Sequence, residues 1–228
     1  MNLLSLENPK LKKGEKKGFM SAVLMMLPGK MSGTELCPKR SEHCYKHCLG
    51  HSTHFVQTFP AVYKARMRRA QLYNQAYPAF ERDLREDIET LIRKARRKDM
   101  TPCVRLNGCT DILWERKGIM QDYPALQFYD YTKIPIPKRK APDNYHLTFS
   151  FSGTNKLTAT RMLELGHSVA VCFKENPKTW RGYEVYNGDD TDLRFLDPKG
   201  VVIGLSPKGS LLQDPESLFH GEYHALEA

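Results

Sequence analysis

Apolar positions along this chain fall into two kinds of stretch: short unbroken runs of strand length, and longer segments where apolar residues recur at helical spacing. The first run, GFMSAVLMMLPG, is stopped by Pro28 and Gly29, which predicts a strand covered on both faces. Residues 61–97 read as helix, broken or kinked at Pro78. In its second half Phe80, Leu84, Ile88, Leu91 and Ile92 share one face. Acids lead and bases trail, an order that complements the helix dipole.

From Thr101 onward the pattern repeats. PCVRLNGCTD, ALQFYDYTK, NYHLTFSFSGTN, SVAVCFK and GVVIGLSPKG are apolar strands that each end in a polar cluster, separated by ILWERKGIMQDYP, KLTATRMLELG and a turn-rich YNGDDTD. The acidic NGDDTD lacks the glutamate of a calcium loop and reads as a hairpin turn. Alternation of strand and helix predicts an α/β fold with a mostly parallel sheet, open or rolled into a barrel. Residues 1–18 read as a basic, solvated N-terminal arm, and residues 19–228 as a single domain.

In parallel α/β folds ligands gather at the carboxyl ends of the strands. The polar residues placed there are Asn107 and Asp111, Asp130, Thr132 and Lys133, Ser150, Ser152 and Asn155, Lys174, and Ser206 with Lys208. Asp111 also suits helix capping, because it precedes ILWERKG. The run after Lys133 reads as a charged, proline-stiffened surface loop.

Composition narrows the class. The 228 residues, 40% of them hydrophobic, are enough to close one core. No run of about 18 apolar residues could span a bilayer, and the charges near the start follow a short apolar patch, the reverse of a secretory signal, so a soluble intracellular protein with no membrane partner is expected. The net charge of +9 is compatible with nucleic acid, but the bases are spread over helix faces and a tail rather than gathered in one motif. No glycine-rich phosphate loop, GxSxG elbow or HExxH is present.

The chemistry concentrates in CPKRSEHCYKHC, where Cys37, Cys44 and Cys48 stand at C-x6-C-x3-C directly after the first strand. In a reducing compartment such cysteines are thiols or metal ligands rather than a disulfide frame. Thiolates are soft ligands, and three of them leave one position open on a cubane iron-sulfur cluster. Zinc is the other reading, completed by His43, His47, His51 or His54, although each of these also reads as a polar loop residue. Unligated thiols are the third. Cys103 and Cys172 lie inside strands and read as small buried hydrophobes, whereas Cys109, in the strand-end loop NGCTD, can face the cysteine loop as a ligand or as lining.

The pieces KKGFMSAVLMMLPGKMSG, CP followed by CYKHCL, KARMRR, VRLNGCTDILWE, FYDYTK, YHLTFSFSGTN and VVIGLSPKG together resemble the phage gene product eighty-eight family. The resemblance implies a virus-derived protein of the host cytoplasm with Cys37, Cys44 and Cys48 at the family's cysteine positions. The chain departs from the family's pattern in GHSTHF, where a short glycine- and arginine-bearing segment is expected. It is also loosely similar to radical S-adenosylmethionine (SAM) enzymes, in which a cluster loop follows the first strand of a partial (β/α) barrel. The spacing differs from their C-x3-C-x2-C, and NGCTD stands where their glycine-glycine-glutamate segment would be, with Asp111 as the available carboxylate. The two resemblances together imply a [4Fe-4S] cluster on Cys37, Cys44 and Cys48 at the mouth of a partial barrel. Asn107, Asp111, Asp130 and Lys133 would surround it, SAM would be a conditional cofactor, and the partner would be a small molecule or a host redox protein. The competing reading is a zinc-stabilised nucleic-acid-binding protein.

Overall fold

The computed structural model describes residues 2–6 and 9–221. In chain order its elements are β1 (Leu4–Ser5), α1 (Pro9–Glu15), β2 (Phe19–Leu24), α2 (Glu42–Lys46), α3 (His54–Thr58), α4 (Pro60–Gln75), α5 (Tyr77–Arg97), β3 (Thr101–Arg105), α6 (Ile119–Asp122), β4 (Gln127–Thr132), β5 (Tyr145–Ser150), α7 (Lys156–Glu164), β6 (Val169–Cys172), β7 (Thr179–Trp180), β8 (Tyr183–Asn187) and β9 (Val202–Leu205). The strands form one sheet in the order β1-β2-β3-β4-β5-β6-β9-β8-β7. Pairing is parallel from β2 to β8, and only β1 and β7 at the two margins run antiparallel to their neighbours. Among the described residues the margins do not pair with each other, so the sheet is not closed.

The expected strands and the long broken helix form where the pattern places them. β2 is buried along almost its whole length, as a central parallel strand requires. Helix α4 ends at Ala76, and α5 starts with Pro78 in its first turn, where the missing N–H costs nothing. Phe80, Leu84 and Ile88 on α5 are fully buried and Leu91 nearly so. They pack with Ala22, Val104 and Phe128 of the sheet and with Trp114. Ile92 is only partly buried. The opposite face is covered by a different device: Phe195, in a short 3-10 turn at Arg194–Leu196, meets Phe19 at 5.2 Å and Tyr129 at 5.4 Å between ring centroids.

Two expectations are corrected. The N-terminal stretch is not simply a solvated arm: Leu4–Ser5 pairs with Val23 and Leu24, and Leu3 and Leu11 are buried, while Lys12, Lys13, Lys16 and Lys17 stay exposed on the outer side. Of that arm, residues 1, 7 and 8 lie outside the described residues, as do residues 222–228 of the expected domain. NGDDTD is not a hairpin turn, because β8 and β9 on either side of it run parallel. The hairpin lies upstream, where Arg181 and Gly182, both at positive φ, join β7 to β8.

Phe80 stands between Tyr73 (5.3 Å) and Trp114 (6.2 Å). Removing its ring leaves a cavity among rigid aromatic neighbours, so Phe80→Ala is expected to lower unfolding stability by about 3–5 kcal/mol. Leu157→Ala, at an 82% exposed position on α7, should change it by no more than about 0.5 kcal/mol. Urea unfolding of the two variants checks the contrast.

Candidate metal centre

A parallel sheet brings its strand ends to one edge, and there a cavity of ≈ 250 Å³ opens. Cys37, Cys44 and Cys48 line it together with Cys109, Lys133, Ser150 and Ser206. The cysteine loop is laid across this edge by specific contacts. Ser41 caps α2 by accepting from the Cys44 amide (3.0 Å), and its hydroxyl donates to the Ser152 carbonyl beyond β5 (2.6 Å). Glu35 accepts from the Cys37 amide (2.8 Å) and pairs with Arg40 (3.0 Å), whose guanidinium lies over Tyr45. Past the loop, Arg66 on α4 donates to the Leu49 and Gly50 carbonyls (3.0 and 2.7 Å), which ties KARMRR to the end of the cysteine loop. At the far side His47 meets Ser210 (3.0 Å) and Asp214 (3.1 Å), and Lys46 pairs with Asp214 (2.6 Å).

Two backbone amides point at sulfur. Gly29 N–H approaches Cys37 Sγ (3.5 Å) and Gly50 N–H approaches Cys48 Sγ (3.4 Å). Both positions demand glycine. Gly29 has φ +58, and a Cβ there would meet Arg40 Nε at 2.7 Å; a Cβ on Gly50 would meet Pro28 Cδ at 2.7 Å.

Charge follows the same geometry. Burial pushes the Cys37 thiol up to about 12, against the pull of the Gly29 amide. Cys48 and Cys109 form a hydrogen-bonded pair: the bond raises Cys48, with burial adding to it, and lowers Cys109, where Arg66 and Arg105 help it outweigh burial. Burial alone would lower Lys133, yet Cys44, Asp111 and Cys37 around it hold its ammonium above the ordinary value. Lys133 Nζ also reaches Ser150 Oγ at 3.2 Å.

The other strand-end residues divide. Asn107 and Asp111 line the cavity but are tied down from within. Asn107 Oδ1 accepts from Thr110, from the Ile112 amide and from Trp114 (2.8, 2.9 and 3.2 Å). Asp111 accepts from Arg139 (2.9 Å) and from the Lys133 amide (2.8 Å). Asp130 does not line the cavity: it is fully buried, and its oxygens accept from the Asn107 amide (2.7 Å) and the Tyr145 hydroxyl (2.9 Å). Ser206 and Lys208 line the cavity, Thr132 is buried against Arg139, Ser152 and Asn155 close a turn, and Lys174 is exposed. His47 and His51 brace the loop, His51 Nε2 donating to the Tyr45 carbonyl at 2.8 Å, whereas His54 is exposed and meets Thr58 on its own helix.

Arg139 overturns the reading of its segment as a surface loop. It is 1% exposed and held by Glu115 (2.7 Å) and Asp111 (2.9 Å). In the run PKRK nothing distinguishes it from its solvated neighbours; the signal lies in Glu115, a carboxylate in a segment that otherwise packs inward. None of the six cysteines is in a disulfide. Among the described residues, no group of three or more His, Cys, Asp or Glu side chains is drawn together tightly enough to hold a metal ion.

Fold and site together define an α/β protein with a mostly parallel sheet and a thiol-lined cavity at its strand ends. The chain belongs to the phage Gene product 88 family, whose model matches residues 2–219. No curated protein matches it, and no solved structure does. Among the described residues no helix is long and apolar enough to cross a membrane.

Asp130 carries a pH signature. Burial pushes its carboxyl up from 3.8 to about 7, against the opposing pull of Arg105 and its hydrogen bonds. The folded protein therefore keeps a proton that the unfolded chain gives up, and the associated stability is lost as pH rises from 3.8 through about 7. Asp130→Asn mimics the protonated acid and is expected to flatten that fall, as read from urea midpoints across this range. An unchanged slope would show that Asp130 is ionised in the fold throughout.

Proposed function

We propose that the protein holds a [4Fe-4S] cluster through Cys37, Cys44 and Cys48, in a sheet that curves as a radical-SAM-like partial barrel. The observation that carries this reading is the aim of the Gly29 and Gly50 amides at the sulfurs of Cys37 and Cys48 inside one thiol-lined cavity. N–H donors to sulfur favour thiolate over thiol and tune a cluster's potential. The kind of donor supports the reading: the thiols of Cys37, Cys44, Cys48 and Cys109 line one cavity, and Lys133 and Arg105 on its wall would offset the negative charge that thiolate ligation brings. The sheet order supports the curvature, since β2 to β6 add side by side in chain order without the reversal that marks a doubly wound sheet.

Each part of the chain then has a task. Cys37, Cys44 and Cys48 bind, the Gly29 and Gly50 amides pull Cys37 and Cys48 toward the charged form against the effect of burial, and Lys133 places a cation beside Cys37 and Cys44. Asn107, Asp111 and Asp130 act one layer back: Asn107 and Asp130 shape the NGCTD loop, and Asp111 fixes the backbone of Lys133. When bound, the cluster supplies one-electron chemistry. The protein works in the host cytoplasm with a small molecule or a host redox protein as its partner, and SAM is a conditional ligand of the same cavity.

The test is metal content after anaerobic purification. A brown protein with about four irons per chain is expected, and Cys44→Ala should bleach it. A colourless protein holding zinc would overturn the cluster reading in favour of a zinc-stabilised nucleic-acid binder, and full iron in Cys44→Ala would show that the ligands are other residues.

A further inference from the structure

We infer that Cys109 supplies a fourth thiolate to the centre formed by Cys37, Cys44 and Cys48, so that protein closes the coordination sphere and no position is left for a small molecule. This rests on the cluster reading above and goes beyond it by naming what completes the site.

The placement begins with the sheet. β2 and β3 are adjacent and parallel, with Val23 opposite Arg105, so the segments leaving them run side by side at a separation of roughly 5 Å. Three residues beyond the end of β3 the chain is still held against β2, where the Gly108 amide donates to the carbonyl of Leu24, the last residue of β2 (3.1 Å). Cys109 therefore emerges beside the segment that leads into the cysteine loop. It is bracketed there from two sides. Cys37 Sγ lies 3.5 Å from the Cys109 carbonyl. On the other side, a Cβ on Gly50 would meet Cys109 Cβ at 3.1 Å, and Gly50 is the residue whose amide points at Cys48 Sγ.

The competing donors are engaged elsewhere. Both Asp111 oxygens are taken by Arg139 and the Lys133 amide, and Asn107 Oδ1 already accepts from three donors. The two ring nitrogens of His47 face Ser210 and Asp214. Cys172 also lines the cavity, but it ends β6, three strand intervals from β3 and roughly 14 Å across the sheet. A thiolate is in any case the ligand that iron in such a cluster prefers to a carboxamide or carboxylate.

The experiment uses the full-length protein purified without oxygen. Wild type should keep about four irons per chain through mild oxidation, and the electron paramagnetic resonance signal of its reduced cluster should not move on addition of SAM. Cys109→Ala should lose about one iron in four on the same treatment, and a small added thiol should protect that iron; Cys172→Ser should behave as wild type. Wild type that sheds iron or responds to SAM overturns the inference, as does a Cys109→Ala protein indistinguishable from wild type. If Cys109→Ala does not fold, the two wild-type measurements decide alone. Wild type with no iron at all overturns the cluster reading, and this inference with it.

Discussion

Parallel pairing of consecutive strands is the constraint from which the site follows. Seven strands, β2 to β6 with β8 and β9, point the same way, and every connection between them must return to the same starting edge. The opposite edge therefore collects the segment after each strand, whatever its sequence. The cysteine loop after β2, NGCTD after β3, Lys133 after β4 and Ser206 after β9 owe their proximity to this rule rather than to affinity for one another. What the side chains then decide is how rigidly the gathered segments are held.

That rigidity comes from a buried polar frame under the cavity. Arg139 donates to Glu115, Asp111, Thr132 and the Ile112 carbonyl, and Tyr145 links Arg139 to Asp130. Asn107 joins the frame from β3 through Asp130 and Tyr145. Such a frame adds little net stability compared with an apolar core of the same volume, because its charges must be desolvated. Its contribution is positional: each member is over-determined by several bonds, and the loop that carries Cys109 inherits that definition.

The legible part of the fold was the part governed by burial. Central parallel strands such as FMSAVL and VAVC are apolar throughout because both faces are covered, and α5 shows its stripe because one face packs on the sheet. The margins left no such trace. β1 and β7 are two residues long, and β8 reads YEVYN with little burial, so neither period nor hydrophobicity marks them. At the site, residue type told which side chains could bind but not which were already occupied. Asn107 and Asp130 look like free strand-end ligands in sequence, and only the positions of Trp114 and Tyr145 show that their hydrogen-bonding capacity is spent inward. The same limit hid Arg139, whose partners lie 24 and 28 residues away.

The clamp on the cysteine loop sets an order of events. His47 is held by Ser210 and Asp214, 163 and 167 positions further along the chain. A ribosome adding about 5–20 residues per second releases those partners on the order of ten seconds or more after the cysteines have emerged. Through that interval the thiols are tethered by β2 and α4 but lack their cover. The growing chain thus leaves its cysteines open to solvent and oxidants, and covers them only when the segment carrying Ser210 and Asp214 arrives.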